Sequence, residues 1–274
     1  MQSASTSKSQ APMTAIYSGV ADLYQLSRPE YPTETANMIA DRLDSQLSHK
    51  YWVDVGSGTG KFTRLLAQFV GHKFRLFGVE PNEDMIAEAN KIENEKIAYL
   101  KSPAEALPFA RNSAAVVSSA ASAQLFDRPR YYKEVERVLA PGGVVATVYN
   151  YGRFAESNFL SEYQSLHEAN VPGYRRGTLA NQHGTFSEMH FADELAAQSA
   201  FKQVEERRVE WTHFYDRGSI EARFTSTIHF KQALKIRPRE ELIHELHTLV
   251  DKYIGPDGRL EFPFTTFVIT AIKV

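Results

Sequence analysis

Hydrophobic and polar positions alternate in blocks that predict strands and helices in turn over the first half of the chain. Short apolar runs bounded by turn residues, the pattern of buried strands, lie at 51–55, 74–79, 97–100, 114–119 and 144–149. Apolar residues at helical spacing separate them, most clearly over 33–47, 61–70, 83–91 and 130–139. Such alternation of strand and helix is typical of a parallel sheet with helices on both faces.

The regular alternation ends at about Asn150. Residues 151–200 mix helix and loop signals and are rich in Tyr, His, Asn and Gly. A strand is then predicted over 204–214, two helices over 218–236 and 239–253 on either side of Pro238, and a last β-prone run over 263–274. The pattern therefore predicts an α/β fold: a doubly wound, mainly parallel, seven-stranded sheet with a helical and loop cap inserted after the fifth strand, at about 151–200.

Two segments precede the sheet. Residues 1–12 are polar and Ser-rich, which predicts a disordered tail. Residues 15–32, here called the arm, contain a short helix that Pro29 and Pro32 end; the arm has no long apolar face, so we expect little packing to fix it. Residues 13–274 are expected to form one domain.

Composition excludes several classes of protein. Hydrophobic residues make up 43% and charged residues 23% of the 274, which predicts a globular protein with a sizeable core. The net charge of −2 argues against a nucleic-acid partner. The longest apolar runs are about half of the ~20 residues that a membrane span needs. The chain has no cysteine, which excludes disulfides and thiolate metal sites and fits a cytoplasmic location. The oligomeric state is not readable from the sequence.

The strongest local signal is the glycine loop at 53–60, Val-Asp-Val-Gly-Ser-Gly-Thr-Gly, where a strand runs into three alternate glycines and then a helix. Glycines allow close approach of the backbone to a ligand, and a helix N-terminus offers unpaired N–H groups. A phosphate-binding P-loop would need a hydroxyl residue at Phe62 and a glycine at Val55. A dinucleotide fingerprint would need its third glycine at Lys61. Taken alone, the glycines could also simply form a tight turn.

The G-x-G-x-G spacing preceded by Asp54 resembles the first motif of class I S-adenosylmethionine-dependent methyltransferases. Glu80 ends the second strand 20 residues after Gly60. That family places a carboxylate there, with two acceptor oxygens for the two ribose hydroxyls of the cofactor. For this part of the chain, the resemblance implies S-adenosylmethionine-binding positions at Gly56, Ser57, Gly58, Gly60, Glu80, Pro81 and Met85.

Three later segments are similar to the same family. In 102–109, Ala104 would border the cofactor and Glu105 would face the adenine amino group. In the loop 119–127, Ser119 would contact the cofactor and Gln124 the substrate. Many relatives carry His-Trp where this chain has Gln124-Leu125, so no histidine role transfers to this loop. The segment 137–143 resembles the family's Pro-Gly-Gly turn into strand five.

The arm sequence 21–32 resembles the N-terminal arm of the small-molecule, methyltransferase type 11-like branch. The resemblance implies that Arg28 binds the carboxylate of the cofactor through two parallel hydrogen bonds. Tyr24 would lie near the methyl-transfer site and contact both cofactor and substrate. Tyr149 and Tyr151, just past strand five, are further substrate candidates, because ligands of α/β sheets bind at the carboxyl ends of the strands.

These features favour methyl transfer to a small organic molecule by in-line displacement, with proximity and alignment as the main catalytic contribution. The nucleic-acid signature Asp/Asn-Pro-Pro-Tyr is absent. Two other functions stay open: a catalytically inactive S-adenosylmethionine-binding regulator, and an NAD(P)-dependent oxidoreductase.

No residue of the sequence stands out as a candidate general base, so no catalytic residue is assigned. His183 and His190 lie in the predicted cap, and His244 and His247 are three residues apart without a third ligand, so no metal site is expected. The cap also carries aromatic residues near an arginine pair. They read either as a substrate pocket or as a small cap core. The residues are Tyr163, Tyr174, Phe186 and Phe191, with Arg175 and Arg176.

Overall fold

The computed structural model describes residues 18–47, 50–70, 74–175 and 190–274. The predicted tail and part of the predicted cap therefore lie outside the described residues. The strands are β1 Tyr51–Val55, β2 Arg75–Glu80, β3 Ile97–Lys101, β4 Ala114–Ala120, β5 Leu139–Gly152, β6 Phe201–Tyr215 and β7 Leu260–Lys273.

Two of the helices in the described residues precede β1, and the others lie between successive strands, except in the interval from β3 to β4. They are α1 Ala21–Ser27, α2 Glu34–Ala40, α3 Lys61–Val70, α4 Glu83–Asn90, α5 Arg128–Val138, α6 Asn158–Asn170, α7 Phe191–Ala196, α8 Arg217–Thr225, α9 Ile228–Ala233 and α10 Arg239–Tyr253. None of these described helices is long and apolar enough to cross a membrane.

Within the described residues the strands form one seven-stranded sheet in the order β3-β2-β1-β4-β5-β7-β6. The first five strands pair in parallel, and β7 runs antiparallel between β5 and β6. The predicted fold class is confirmed. Because parallel strands end at a common edge, this order brings the loops after β1, β2 and β4 together.

Two predicted helices are each divided in the structure. The helix predicted over 33–47 is α2 followed by a separate 3-10 turn, Ser45–Leu47. The helix predicted over 218–236 is α8 and α9, because the Thr227 side chain caps a new helix by accepting from the Phe230 N–H at 3.1 Å.

The predicted Pro-Gly-Gly turn lies inside β5. Ala114 pairs with Leu139 and Val116 with Val144, so two steps along β4 oppose five along β5. The extra residues form a bulge, which Gly142 permits with its φ of +78°.

Two apolar cores cover the faces of the sheet, and a third lies under the cap. The third joins α6 to α8, α9 and α10 over the outer ends of β6 and β7, where Tyr215 and Phe262 are buried. The structural cap therefore includes helices from 217–253, beyond the predicted insertion at 151–200.

Candidate functional site

A cavity of about 160 Å³ lies at the carboxyl ends of β1, β2 and β4. We call it the glycine-loop cavity, because residues 56–59 form one wall. Of the predicted cofactor positions, the following line it: Tyr24, Arg28, Gly56, Ser57, Gly58, Glu80, Pro81, Met85, Ala104 and Glu105.

Two glycines of the loop have different roles. Gly58 has a φ of +54°, and a Cβ built on it meets no atom within 4 Å, so this position faces open cavity space. Gly60 has a φ of +82°, and a Cβ there would collide with Tyr99 and Arg64. Gly60 does not line the cavity; it allows the loop to pack against β3 and α3.

Glu80 joins the loop to β2. One carboxylate oxygen accepts a hydrogen bond from the Gly58 N–H and the other from the Asn82 N–H, both at 3.0 Å. The side chain is buried, and this burial raises its pKa, although the two backbone donors partly oppose the shift. Glu80 therefore both shapes the loop and presents a carboxylate to the cavity.

Asp54 lies beneath the loop and also lines the cavity. It accepts hydrogen bonds from the Thr63 hydroxyl at 2.6 Å and from the Ser118 hydroxyl at 3.3 Å. Burial raises the pKa of Asp54 to about 7, because the low-dielectric interior disfavours the charged form. Its carboxyl group therefore changes charge near neutral pH.

Glu105 and Ser119 differ in their placement. Glu105 lines the cavity, and one of its oxygens accepts from the Asp127 N–H at 2.8 Å, which holds the loop after β4. Ser119 is fully buried in β4 and is not among the lining residues.

Two hydroxyls of the glycine loop are buried without a partner among the described residues, Ser57 Oγ and Thr59 Oγ1. Leaving a buried polar atom unsatisfied costs about 1–3 kcal/mol. A polar ligand in the cavity can supply the missing hydrogen bonds. The loop is thus built for a hydroxyl-rich or charged ligand that approaches closely at Gly58.

The arm lies across the mouth of the cavity. Its start is held by α4: Asn82 Nδ2 donates to Ser18 Oγ at 3.1 Å, and the Gly19 N–H donates to Asp84 at 3.0 Å. Its end is held by α3, where Lys61 pairs with Glu30 at 2.7 Å. Between these anchors, the Arg28 guanidinium lies over the Tyr24 ring, 4.8 Å from its centroid.

A second cavity, of about 300 Å³, adjoins the first and lies beneath the cap helices. We call it the cap cavity. The arm, the end of β5, α6, the α8–α9 region and β7 line it. Residues common to both cavities are Tyr24, Arg28, Pro29, Tyr31 and Ala121.

Three of the four substrate candidates line the cap cavity: Tyr24, Gln124 and Tyr151. Tyr149 lines neither cavity. Its ring stacks on Phe267 at 4.9 Å and packs against Phe191. The two tyrosines are on the same face of β5, but Tyr149 lies two residues further from the end of the strand. Phe191 and Phe267 pack against its ring there, whereas Tyr151 lies where the strand ends at the cap cavity.

The cap cavity contains charged and titratable residues that sequence reasoning missed: Arg223, His167 and His229. Burial lowers the pKa of His167 to about 3 and that of His229 to about 4, so both imidazoles are neutral at physiological pH. Among the described lining residues there is no Asp or Glu. The cap cavity therefore carries positive charge from Arg28 and Arg223.

The aromatic residues predicted for the cap separate in the structure. Tyr163 and Tyr174 line the cap cavity, whereas Phe191 packs against the sheet. Arg175 is not a lining residue, and Phe186, Arg176 and His183 lie outside the described residues. His190 is exposed and lines neither cavity. Over the described ranges no cluster of residues suits a metal ion.

The strand order, with the glycine loop after β1 and a carboxylate at the end of β2, is that of the class I methyltransferase fold. Residues 53–147 match the family model of a methyltransferase domain. The chain therefore carries a methyltransferase domain at residues 53–147, within a class I methyltransferase fold.

Similar proteins span the chain beyond this domain. A Dictyostelium discoideum protein that is named as a methyltransferase is 23% identical to this chain over 261 residues, which cover 94% of each chain. A type II methyltransferase structure from Anaeromyxobacter dehalogenans has a TM-score of 0.64 at 20% identity, covering 90% of this chain and 97% of that one. Phosphoethanolamine N-methyltransferase 2 of Haemonchus contortus, solved with phosphomonomethylethanolamine and S-adenosylhomocysteine, has a TM-score of 0.51 at 18% identity, covering 95% of this chain and 58% of that one. The two structural matches confirm the fold.

Proposed function

We propose that this methyltransferase transfers a methyl group to a small organic molecule bound in the cap cavity. The observation that carries the proposal is the common wall of the two cavities. In-line displacement needs an acceptor on the far side of the methyl group from its leaving atom. Adjoining cavities offer that arrangement without a large movement of the chain.

Different residues of the glycine-loop cavity bind different parts of the cofactor, S-adenosylmethionine. Glu80 offers carboxylate oxygens toward the ribose hydroxyls, and Glu105 offers one toward the adenine amino group. Ser57 and Thr59 supply the hydroxyls that lack partners among the described residues. Arg28, on the common wall, binds the carboxylate at the methionine end.

When bound, S-adenosylmethionine supplies an already activated methyl group on a sulfonium. The contribution of the chain is then to align the acceptor and to exclude water. No residue of the described cap cavity is a strong base, because His167 and His229 hold protons only well below neutral pH. This favours an acceptor atom that needs little help in losing a proton.

The arm acts as a lid over this site in our proposal. It contributes four residues to the common wall; α1 packs against α8, and polar contacts to α3 and α4 hold the two ends of the arm. Such anchors are weak at exposed positions. The arm is thus expected to open without cofactor and to close when Arg28 gains a carboxylate partner.

Two measurements test the proposed function. Titration calorimetry with S-adenosylhomocysteine, NAD and NADP should show binding of the first alone; binding of a nicotinamide cofactor alone would contradict the proposal. Transfer of labelled methyl should then be assayed over a panel of small organic acids, amines, thiols and phenols. Cofactor binding without turnover on any of them would favour the inactive regulator.

A further inference from the structure

We propose that the substrate is an organic anion, whose negative group docks on Arg223 and the Tyr163 hydroxyl, two residues that line the cap cavity and not the glycine-loop cavity. This inference rests on the proposed function, in which the cap cavity holds the methyl acceptor. It adds the charge of the substrate and the residues that select it.

Arg223 projects from α8 into the cap cavity. Its contacts are the Tyr215 hydroxyl, at 3.3 Å, and the rings of Tyr215, Phe262 and Phe264, which lie 4.8–5.9 Å from its Cζ. No carboxylate of the described residues forms a salt bridge with it. The residue is half-buried, and a guanidinium that is partly withdrawn from water among aromatic rings is stabilised when a ligand supplies a counter-ion.

The neighbouring arginine of the same helix shows the contrast. Arg217 pairs with Asp251 on the surface and does not line the cavity. The two arginines are six residues apart on α8, yet only the one that faces the cavity lacks an acidic partner. A positive charge left unpaired at a cavity wall is the arrangement that a bound anion requires.

Tyr163 supplies a second, independent observation. The residue is 3% exposed, and its hydroxyl has no hydrogen-bond partner among the described residues. Its ring lies 6.4 Å from that of Phe262, on which the Arg223 guanidinium also packs. The charges of both Arg223 and Arg28 act to lower the pKa of Tyr163, against the larger raising effect of burial. A carboxylate at this place would accept from the hydroxyl as well as from the guanidinium.

Other walls of the cap cavity favour an apolar, preferably flat, body for the anion. Phe154, Phe262 and Phe264 line it together with Tyr174 and the neutral rings of His167 and His229. Because Arg223 lines only the cap cavity, the group it holds is an anchor, and the methyl-accepting atom lies elsewhere on the substrate.

Calorimetry with matched probes tests the inference. The enzyme saturated with S-adenosylhomocysteine is titrated with 3-phenylpropanoate, 3-phenylpropanamide and 3-phenylpropylamine, and then with hexanoate, hexanamide and hexylamine. Each set keeps one carbon skeleton and changes only the charge. We expect carboxylates to bind about 10-fold or more tighter than amides, as for hydrogen bonds to charged groups, and amines to bind most weakly.

Variants assign the preference to the proposed residues. R223Q should abolish it, R223K should keep part of it, and Y163F should reduce carboxylate affinity about 3- to 10-fold. R217Q, on the same helix, should behave as wild type. If R223Q does not fold, R223K and Y163F still decide: unchanged carboxylate affinity in both overturns the proposal.

The outcomes separate this inference from the function on which it rests. Normal S-adenosylhomocysteine binding with no preference for carboxylates, or with no carboxylate bound at 10 mM, overturns the anion site and leaves the proposed function. Carboxylate binding that needs Arg223, in a protein that does not bind S-adenosylhomocysteine, supports the anion site and overturns the proposed function.

Discussion

The two cavities share a wall that includes Arg28, but they differ in their acidic residues. Asp54, Glu80 and Glu105 bring three carboxyl groups to the glycine-loop cavity, whereas the described lining of the cap cavity has none and includes Arg223. Hydroxyls, amino groups and a sulfonium suit the first lining; an anion with an aromatic body suits the second. From this difference we expect the two proposed ligands to be distinguished by charge as well as by shape.

The cavities also differ in how the chain builds them. The glycine-loop cavity comes mostly from loops that directly follow β1, β2 and β4, so its residues stand beside strong local motifs. Segments far apart in the sequence, from the arm to β7, assemble the cap cavity. Changes in the first should therefore act on cofactor affinity, and changes in the second on substrate choice.

The largest effect is expected from G58V. The backbone at Gly58 has a positive φ that valine adopts only with strain, and the new side chain would fill the open space where the ligand approaches. Calorimetry should show at least about a 100-fold loss of S-adenosylhomocysteine affinity, with probe binding in the cap cavity retained. G258V is the matched control, because Gly258 also has a positive φ, +75°, and open surroundings, but lies away from both cavities. Equal affinity in folded G58V would mean that the loop is only a turn.

E80Q should have the next largest effect. The amide keeps the size of Glu80 but loses the charge and one acceptor, so cofactor affinity should fall about 10- to 100-fold. Because Glu80 also accepts from two backbone N–H groups, some loss of stability should accompany it. E83Q is the control: Glu83 is exposed and pairs with Lys101 at the surface, where an ion pair contributes about 0–1 kcal/mol. Similar affinities of E80Q and wild type would refute the ribose assignment.

R28K tests the wall that the cavities share. Lysine keeps the charge but cannot make two parallel hydrogen bonds to a carboxylate, so cofactor affinity should fall by about 10-fold. Hydrogen exchange over residues 18–32 should slow on addition of S-adenosylhomocysteine in the wild type and less so in R28K. R42K, whose arginine pairs with Glu205 away from the cavities, should match wild type. An arm that gains no protection in the wild type would remove the support for a lid.

The last prediction concerns the pH dependence of stability, to which a buried group of each cavity contributes with opposite sign. The pKa of Asp54 is raised to about 7, so the folded state keeps a proton that the unfolded state releases, and stability falls as pH rises from about 4 to 7. The pKa of His167 is lowered to about 3, so the unfolded state takes up a proton first, and stability falls as pH drops from 6.5 towards 3. Each slope is at most about 1.4 kcal/mol per pH unit.

Urea unfolding at pH 4.5, 5.5 and 6.5 separates these contributions. D54N should make stability rise more steeply with pH than in the wild type, and H167Q should make it rise less steeply. Curves parallel to the wild type in both variants would contradict the assigned protonation states.

Sequence and structure agree best where a local pattern determines the geometry. The glycine loop after β1 and the carboxylate of Glu80 at the end of β2 were predicted to lie together, because parallel strands end at one edge of a sheet. Both line the glycine-loop cavity in the structure. Gly60 belongs to the same motif, but it allows the loop to pack against Tyr99 and Arg64. The motif alone does not reveal this role, because it depends on Tyr99, which is distant in the sequence.

Tyr149 was predicted to share a substrate site with Tyr151. Phe191 and Phe267 pack against its ring instead, because Tyr149 lies two residues further from the end of β5.

The cap cavity was only partly predictable. Helical spacing indicates α6 and α8 but does not say which face of each meets the other, so neither His167 nor Arg223 carried a usable signal. Arg223 stands out only in the structure, where no acidic side chain of the described residues pairs with it. Such a feature exists only after distant segments assemble.

A crystal structure with S-adenosylhomocysteine bound tests the central claim most directly, namely that the two cavities form one methyl-transfer site. The account predicts that the ribose hydroxyls contact Glu80, that the carboxylate contacts Arg28, and that the sulfur faces the cap cavity across the common wall. Ligand bound with its sulfur turned away from the cap cavity, or with its ribose remote from Glu80, would contradict it.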